Sequence, residues 1–278
     1  MTTVTITRPG QSAVRPLHQP GFTDLMRSEW TKFRTLRSTW WSLGIAIVLS
    51  IGLTIAACAV YTHDFPTLDA ATRTQFQQDT IGLIFQPGAQ FGTLAICVLG
   101  VLLIASEYST GMIRATILAS PRRTSALLAK GATLALAVFV IAELIALPSF
   151  FIGSAITHAH ASTSITDPIT LRALLAFGLY MSAMSLIALS VGALVRHPAA
   201  GISIVLAMQF VIPGVLTLIP GSIGQHLSAA LPSGATVIMS SGHDSTNVYT
   251  PLQGLLFLIG WTLVLGGAAL LSIKKRDV

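Results

Sequence analysis

Charge is scarce in this chain: Asp, Glu, Lys and Arg make up 9% of 278 residues, against 53% hydrophobic ones. That shortage excludes an ordinary soluble domain, about a quarter of which is charged. Cysteine is nearly absent as well. Cys58 and Cys97 both lie inside long apolar runs, so no disulfide framework is implied and no metal-ligand spacing is present. A GxxxxGK[ST] phosphate loop is missing, and no polar segment is long enough to form a nucleotide-binding domain. Any ATP hydrolysis therefore belongs to a separate chain; this one is expected to be non-catalytic, with no cofactor and no metal. No inverted or parallel repeat is visible, which weighs against many secondary transporter folds. The N-terminal stretch is not expected to be a cleavable signal, since the first long apolar run begins only at Trp41 and is too long for one.

What the chain has in abundance is apolar length. Six nearly uncharged stretches lie at about 41–60, 81–105, 131–157, 173–195, 199–220 and 251–273, and about 20 such residues suffice for a spanning helix. They predict an all-α polytopic membrane protein with six transmembrane helices. If both termini face the cytoplasm, 14 of the 16 Lys and Arg residues lie on that side, with Arg73 and Arg172 the exceptions. Such a bias sets orientation in membranes, and an even number of spans agrees with it. A multi-pass protein of the cell membrane with cytoplasmic N and C termini is expected. The net charge of +6 and pI near 9.8 suit anionic lipid headgroups better than nucleic acid, because the basic residues flank spans and do not line one soluble face.

Residues 1–20, with Pro9, Pro16 and Pro20 among scattered polar residues, have the composition of a disordered tail. Residues 21–40 read differently. Phe22, Met26, Trp30, Phe33, Leu36 and Trp40 recur every three or four positions, and Arg27, Lys32, Arg34 and Arg37 occupy much of the other face. This predicts an N-terminal interfacial amphipathic helix, capped by Thr23, lying in the headgroup layer. A helix packed on another subunit is the alternative. Residues 41–278 are then expected to form one six-helix transmembrane domain.

Within the spans, Glu143 is the one ionisable carboxylate. A charge there costs about 2.5–3.5 kcal/mol on insertion scales. It is either a polar contact or proton-coupled group on a transport path, or a hydrogen-bonded structural residue near Pro148. Gln209, with Met181, Ser182, Met184 and Ser185, could line a path for an amphipathic compound; ordinary packing is the other reading. Gly88 and Gly92 form a GxxxG that would let another helix approach closely, a dimer contact being one reading. The stretch 221–250, rich in Pro and Gly amid apolar residues, predicts short broken helices dipping back toward the membrane. The longest connection on the basic side runs from Ser106 to Lys130, with Ser109 or Thr110 as a helix cap and Pro121 as a stop.

Two stretches carry a family resemblance. Ser28-Glu-Trp-Thr-Lys-Phe-Arg-Thr-Leu-Arg-Ser-Thr-Trp-Trp41 is similar to the interfacial helix that leads into the first span of the type-2 permeases of ATP-binding-cassette (ABC) transporters, in the form common in actinobacteria. Glu107-Tyr-Ser-Thr-Gly-Met-Ile-Arg-Ala-Thr-Ile-Leu-Ala-Ser-Pro-Arg-Arg123, followed by Lys130, resembles their coupling segment. Met112 departs from the Thr that many members carry after the glycine. The order of interfacial helix, six spans and a broken segment before the sixth resembles the family over nearly the whole chain.

The resemblance implies a complex of two membrane subunits, the second a copy or a paralogue, with two separate ABC ATPase subunits. Closure of the ATPase pair would push on a coupling segment containing Glu107, Gly111, Arg114, Pro121, Arg122 and Arg123, and on the interfacial helix with Trp30, Lys32, Phe33, Arg34 and Arg37. It also implies export. Scarce intramembrane charge favours an amphipathic or lipophilic cargo over ions. Two other classes stay open: a proton-coupled secondary transporter using Glu143, and a membrane anchor or sensor that moves nothing.

Overall fold

Where no water can pair with the backbone, an apolar run satisfies its own N–H and C=O groups only as a helix. The computed structural model describes residues 21–109, 111, 123–242 and 248–275 and follows this rule, with no strand among them. In chain order they form α1 (Phe22–Thr35), α2 (Arg37–Asp64), α3 (Ala70–Gln78), α4 (Thr80–Ser109), α5 (Arg123–Thr157), α6 (Pro168–Val195) and α7 (Pro198–Leu206). A π-helical turn (Ala207–Val211) then leads into α8 (Ile212–Thr217), followed by α9 (Ser222–Ala229), a 3-10 segment (Pro232–Met239) and α10 (Pro251–Lys275). Six of these units are long and apolar enough to cross a membrane: α2, α4, α5, α6, the continuous α7–α8 unit, and α10. Residues 1–20, Arg114, Pro121 and Arg122 lie outside the described residues, as does the side chain of Arg123.

The start of α1 differs from the sequence expectation. Its cap is Gly21 and not Thr23, because Asp24 reaches back to accept from the Gly21 N–H at 3.1 Å, closing the first turn from the N3 position. Its end differs too. Leu36 alone is extended (φ −75°, ψ 121°), so Arg37 opens α2 and is not part of the interfacial helix. The Trp40 indole donates to the Arg34 carbonyl at 3.0 Å across this break. At α6, Asp167 caps the Ile169 N–H at 3.2 Å and Pro168 occupies the first turn, where a missing N–H costs nothing. The same helix ends at Arg196, whose N–H donates to the Gly192 carbonyl at 2.9 Å with φ +58°. Glycine usually fills that left-handed position; a side chain there costs about 1–2 kcal/mol.

Two helices make the centre. In their most apolar stretches α4 is 72% and α6 78% buried, whereas α7–α8 and α10 are each 17% buried. Small residues let the central pair close up: a Cβ at Gly100 would stand 2.6 Å from the Ser185 carbonyl oxygen. On the other side of α4, Gly88 and Gly92 face Ser50 and Thr54 of α2, and a Cβ at Gly88 would lie 2.6 Å from the Ser50 carbonyl oxygen. This GxxxG is thus filled by a helix of the same chain. Pro87 and Pro148 sit inside α4 and α5, each releasing the carbonyl four residues earlier.

Two short helical segments, Ser222–Ala229 and Pro232–Met239, follow α8. The 3-10 segment is largely buried against α4, α6 and α10. Arg172 donates to the Ser240 carbonyl, and Asp79 accepts from Ser241 N–H at 2.5 Å and Gly82 N–H at 3.1 Å. At the opposite end of the bundle, where α4 finishes and α5 begins, α1 lies mainly against α5.

Candidate site: a buried charge cluster at the α1 end

Amphipathic spacing makes α1 a helix, but its inward face is not the aromatic stripe. Glu29 and Phe33 are buried, with Leu25, Met26 and Lys32 half-buried beside them, while Phe22 and Trp30 stay exposed. Trp30 stacks on Phe33 at 5.9 Å between ring centroids. The helix therefore presents a carboxylate to the bundle. A charge taken out of water must be paired there.

The partners come from three elements. Glu107, in the last turn of α4, is 6% exposed; Lys130, near the start of α5, is 3% exposed; Glu29 is 5% exposed. Lys32 lies 2.7 Å from Glu29 Oε1 and 3.2 Å from Glu107 Oε1, and Lys130 lies 2.8 Å from Glu107 Oε1 while also pairing with Glu29 Oε2. Two carboxylates and two ammonium groups so form one closed, formally neutral set. It joins α1 to both helices that flank residues 110–122.

Burial alone would raise the Glu29 carboxyl, but the charges and hydrogen bonds of Lys130 and Lys32 outweigh it and hold it below its ordinary value. Burial likewise pulls the Lys32 ammonium down, and the hydrogen bond to Glu29 with the negative charges of Glu107 and Glu29 pushes it above its ordinary value. Both groups are held in their charged forms. Removing one member would strand a buried charge, whereas the intact set is of little net consequence for stability.

A second polar region sits deeper. Gln209, buried in the π-helical turn, donates from Nε2 to the Tyr180 hydroxyl at 2.9 Å. Nearby on α4, Thr93 donates to the Met181 sulfur at 3.2 Å. Glu143 is not part of this group. It is half-buried on α5, with Oε1 against the Gly178 backbone of α6, where a Cβ would collide with it. Between α5, α6 and α10 runs an apolar cleft of about 410 Å³, lined by Leu128, Gly131, Leu189, Gly266 and Leu270 among others.

Of the residues singled out in sequence, Lys32 and Glu107 meet in the cluster, Phe33 packs beside it, and Trp30 and Arg34 stay on the outward side of α1. Gly111 is exposed with φ +71°, a turn conformation that favours glycine. Glu29 and Lys130 escaped notice as site residues. Lys130 had a signal, a charge abutting the apolar run 131–157; Glu29, between Ser28 and Trp30, had only its place as one of ten carboxylates in the chain. Among the described residues no three His, Cys, Asp or Glu side chains gather as a metal site would need.

Comparison with known proteins bears on what this arrangement serves. Residues 25–214, more than half of the chain, match the pattern of the ABC-2 family transporter protein family, a stretch that runs from α1 through the α7–α8 unit. No curated protein matches the chain.

Proposed function

This chain belongs to the ABC-2 transporter family, and on that premise we propose that it is the permease subunit of an exporter for an amphipathic or lipophilic compound, driven by a separate ABC ATPase. The observation that carries the reading is the Glu29–Lys32–Glu107–Lys130 cluster. The ATPase grips the connection between α4 and α5 through Gly111, Arg114, Pro121, Arg122 and Arg123. A push there is felt at once by the end of α4 and the start of α5. Glu107 and Lys130 stand at those two points, and their shared pairing with Glu29 and Lys32 passes the displacement to α1. The cluster transmits and does not contact the partner. Such transmission needs elements with discrete arrangements that both sites bias, and a buried set of ion pairs supplies discrete partners. In this reading the α1 end faces the cytoplasm of a cell membrane, in keeping with Arg27 and Arg34 on α1, Arg37 at the start of α2, and Lys274 and Lys275 at the end of α10. A second permease chain covers the thinly buried helices, and lipids cover the rest. Scarce charge in the spans and the apolar cleft support a lipophilic cargo.

The test is capture of tagged protein from its native membrane in mild detergent. Wild type is expected to bring down a phosphate-loop ATPase, and the Gly111→Pro, Arg114→Glu variant to lose it. Cargo then stimulates ATP hydrolysis by the complex, which a mere anchor does not support. If no ATPase accompanies the intact protein and Glu143→Gln abolishes transport, the proton-coupled reading replaces this one.

A further inference from the structure

We propose that Arg196 is a positioning residue of the same site, a second seat for the Glu107 carboxylate when the end of α4 moves; the proposal rests on the transmission role given above. The register of the two central helices brings the pair together. Gly192 of α6 packs on Val101 and Ile104 of α4, and one turn further along both helices the Arg196 guanidinium lies over the Tyr108 ring, 5.0 Å from its centroid. Tyr108 is the neighbour of Glu107.

Both groups have unused hydrogen-bonding capacity. Nε and Nη2 of Arg196 are buried with no hydrogen-bond partner, and so is Oε2 of Glu107. Those two nitrogens form one edge of the guanidinium, the fork that takes a carboxylate with two parallel bonds. Buried polar atoms are nearly always paired, so an orphan fork over the Tyr108 ring and an orphan carboxylate oxygen on the residue before that tyrosine call for an account. Ordinary end-of-helix geometry does not provide it. Among the described residues Arg196 is the one non-glycine residue with positive φ, and strained positions persist where the surroundings or the function demand that side chain.

The cluster can release Glu107 without stranding either lysine. Glu29 holds Lys32 through Oε1 and Lys130 through Oε2, so both ammonium groups stay paired when Glu107 leaves. Glu107 in turn arrives at a cation that pairs with no carboxylate among the described residues. In the described arrangement Glu107 ties α4 to α1 and α5; in the other it ties α4 to α6 and frees α1 to tilt. The count of buried charges is the same in both, which keeps the exchange reversible.

The test uses the permease assembled with its ATPase in lipid nanodiscs, comparing Arg196→Asn, Glu107→Gln and the double variant. Asn tolerates the left-handed backbone, so Arg196→Asn removes the guanidinium with little strain. Expected for Arg196→Asn are unchanged ATPase capture, an unchanged melting midpoint, and cargo-stimulated ATP turnover lowered about tenfold. Arg196→Lys, which keeps the charge but not the fork, is expected to recover only part of it. The double variant should be no slower than the slower single one. Single effects that multiply in the double variant would overturn the proposal, as would loss of ATPase capture by Arg196→Asn, which makes Arg196 an assembly residue. A wild type that captures no ATPase brings down the transmission reading itself, and this proposal with it.

Discussion

The two polar regions of this bundle are built from different chemistry. At the α1 end, four ionised side chains from three elements share their charges in one buried set. Deeper in, the Gln209–Tyr180 pair, with Thr93 and Met181 close by, does its work with neutral groups. The contrast teaches where a membrane protein can place charge. Near a helix end, long lysine side chains bring compensation from several directions; in mid-span a lone charge has no such neighbours. The neutral pair fixes orientation at small cost if broken. The charged set ties three elements to one another, at large cost if one member goes.

Lys130→Met attacks the charged region and has the largest expected effect. It leaves Glu29 and Glu107 with Lys32 alone, and should lower stability by about 3–5 kcal/mol, read as a fall in the melting midpoint in detergent. Adding Glu107→Gln to that variant should restore most of the loss, since Glu29 and Lys32 then remain as one neutral pair and no buried charge is stranded. If Lys130→Met melts like wild type, the cluster is not what holds α1 to α4 and α5. Gln209→Leu probes the neutral region. Its expected cost is about 0.6–1 kcal/mol, and a loss as large as that of Lys130→Met would erase the distinction between the two regions.

The smallest effect concerns pH. The Glu29 carboxyl is held below its ordinary 4.5, so its contribution is present above that value and disappears as pH falls through its lower folded value. The Lys32 ammonium is held above its ordinary 10.5, so its contribution is present below that value and disappears as pH rises through the higher folded one. Trp30 fluorescence, which reports on α1, should therefore be flat between these limits. A transition near neutrality would show that one of the four groups titrates there and that the set is not closed.

Much of the architecture was legible because length and hydropathy are local properties. The six spanning units follow from apolar runs alone, and the Pro- and Gly-rich stretch after α8 does form short helices. The site was harder to read. Glu29 belongs to a helix whose aromatic spacing points elsewhere, and its burial depends on Lys130, 101 positions away. Glu107 and Lys130 were visible only as parts of a family motif, not as partners of each other. The π-helical turn that aims Gln209 at Tyr180 has no sequence signature that a 3.6-residue period would reveal. Gly88 and Gly92 were legible as a site of close approach, but which helix fills it is a question of tertiary packing.

The single extended residue at Leu36 makes α1 a separable part. The helical hydrogen-bond ladder does not continue from α1 into α2; apart from the chain itself and the Trp40–Arg34 hydrogen bond, the helix keeps its place by a carboxylate, an ammonium and one phenyl ring. A chain opened after Leu36 should thus yield a short peptide that can be washed off and returned, carrying its own address in Glu29, Lys32 and Phe33. The first spanning helix would stay behind, and the protein could be fitted with labelled or altered versions of its own first helix.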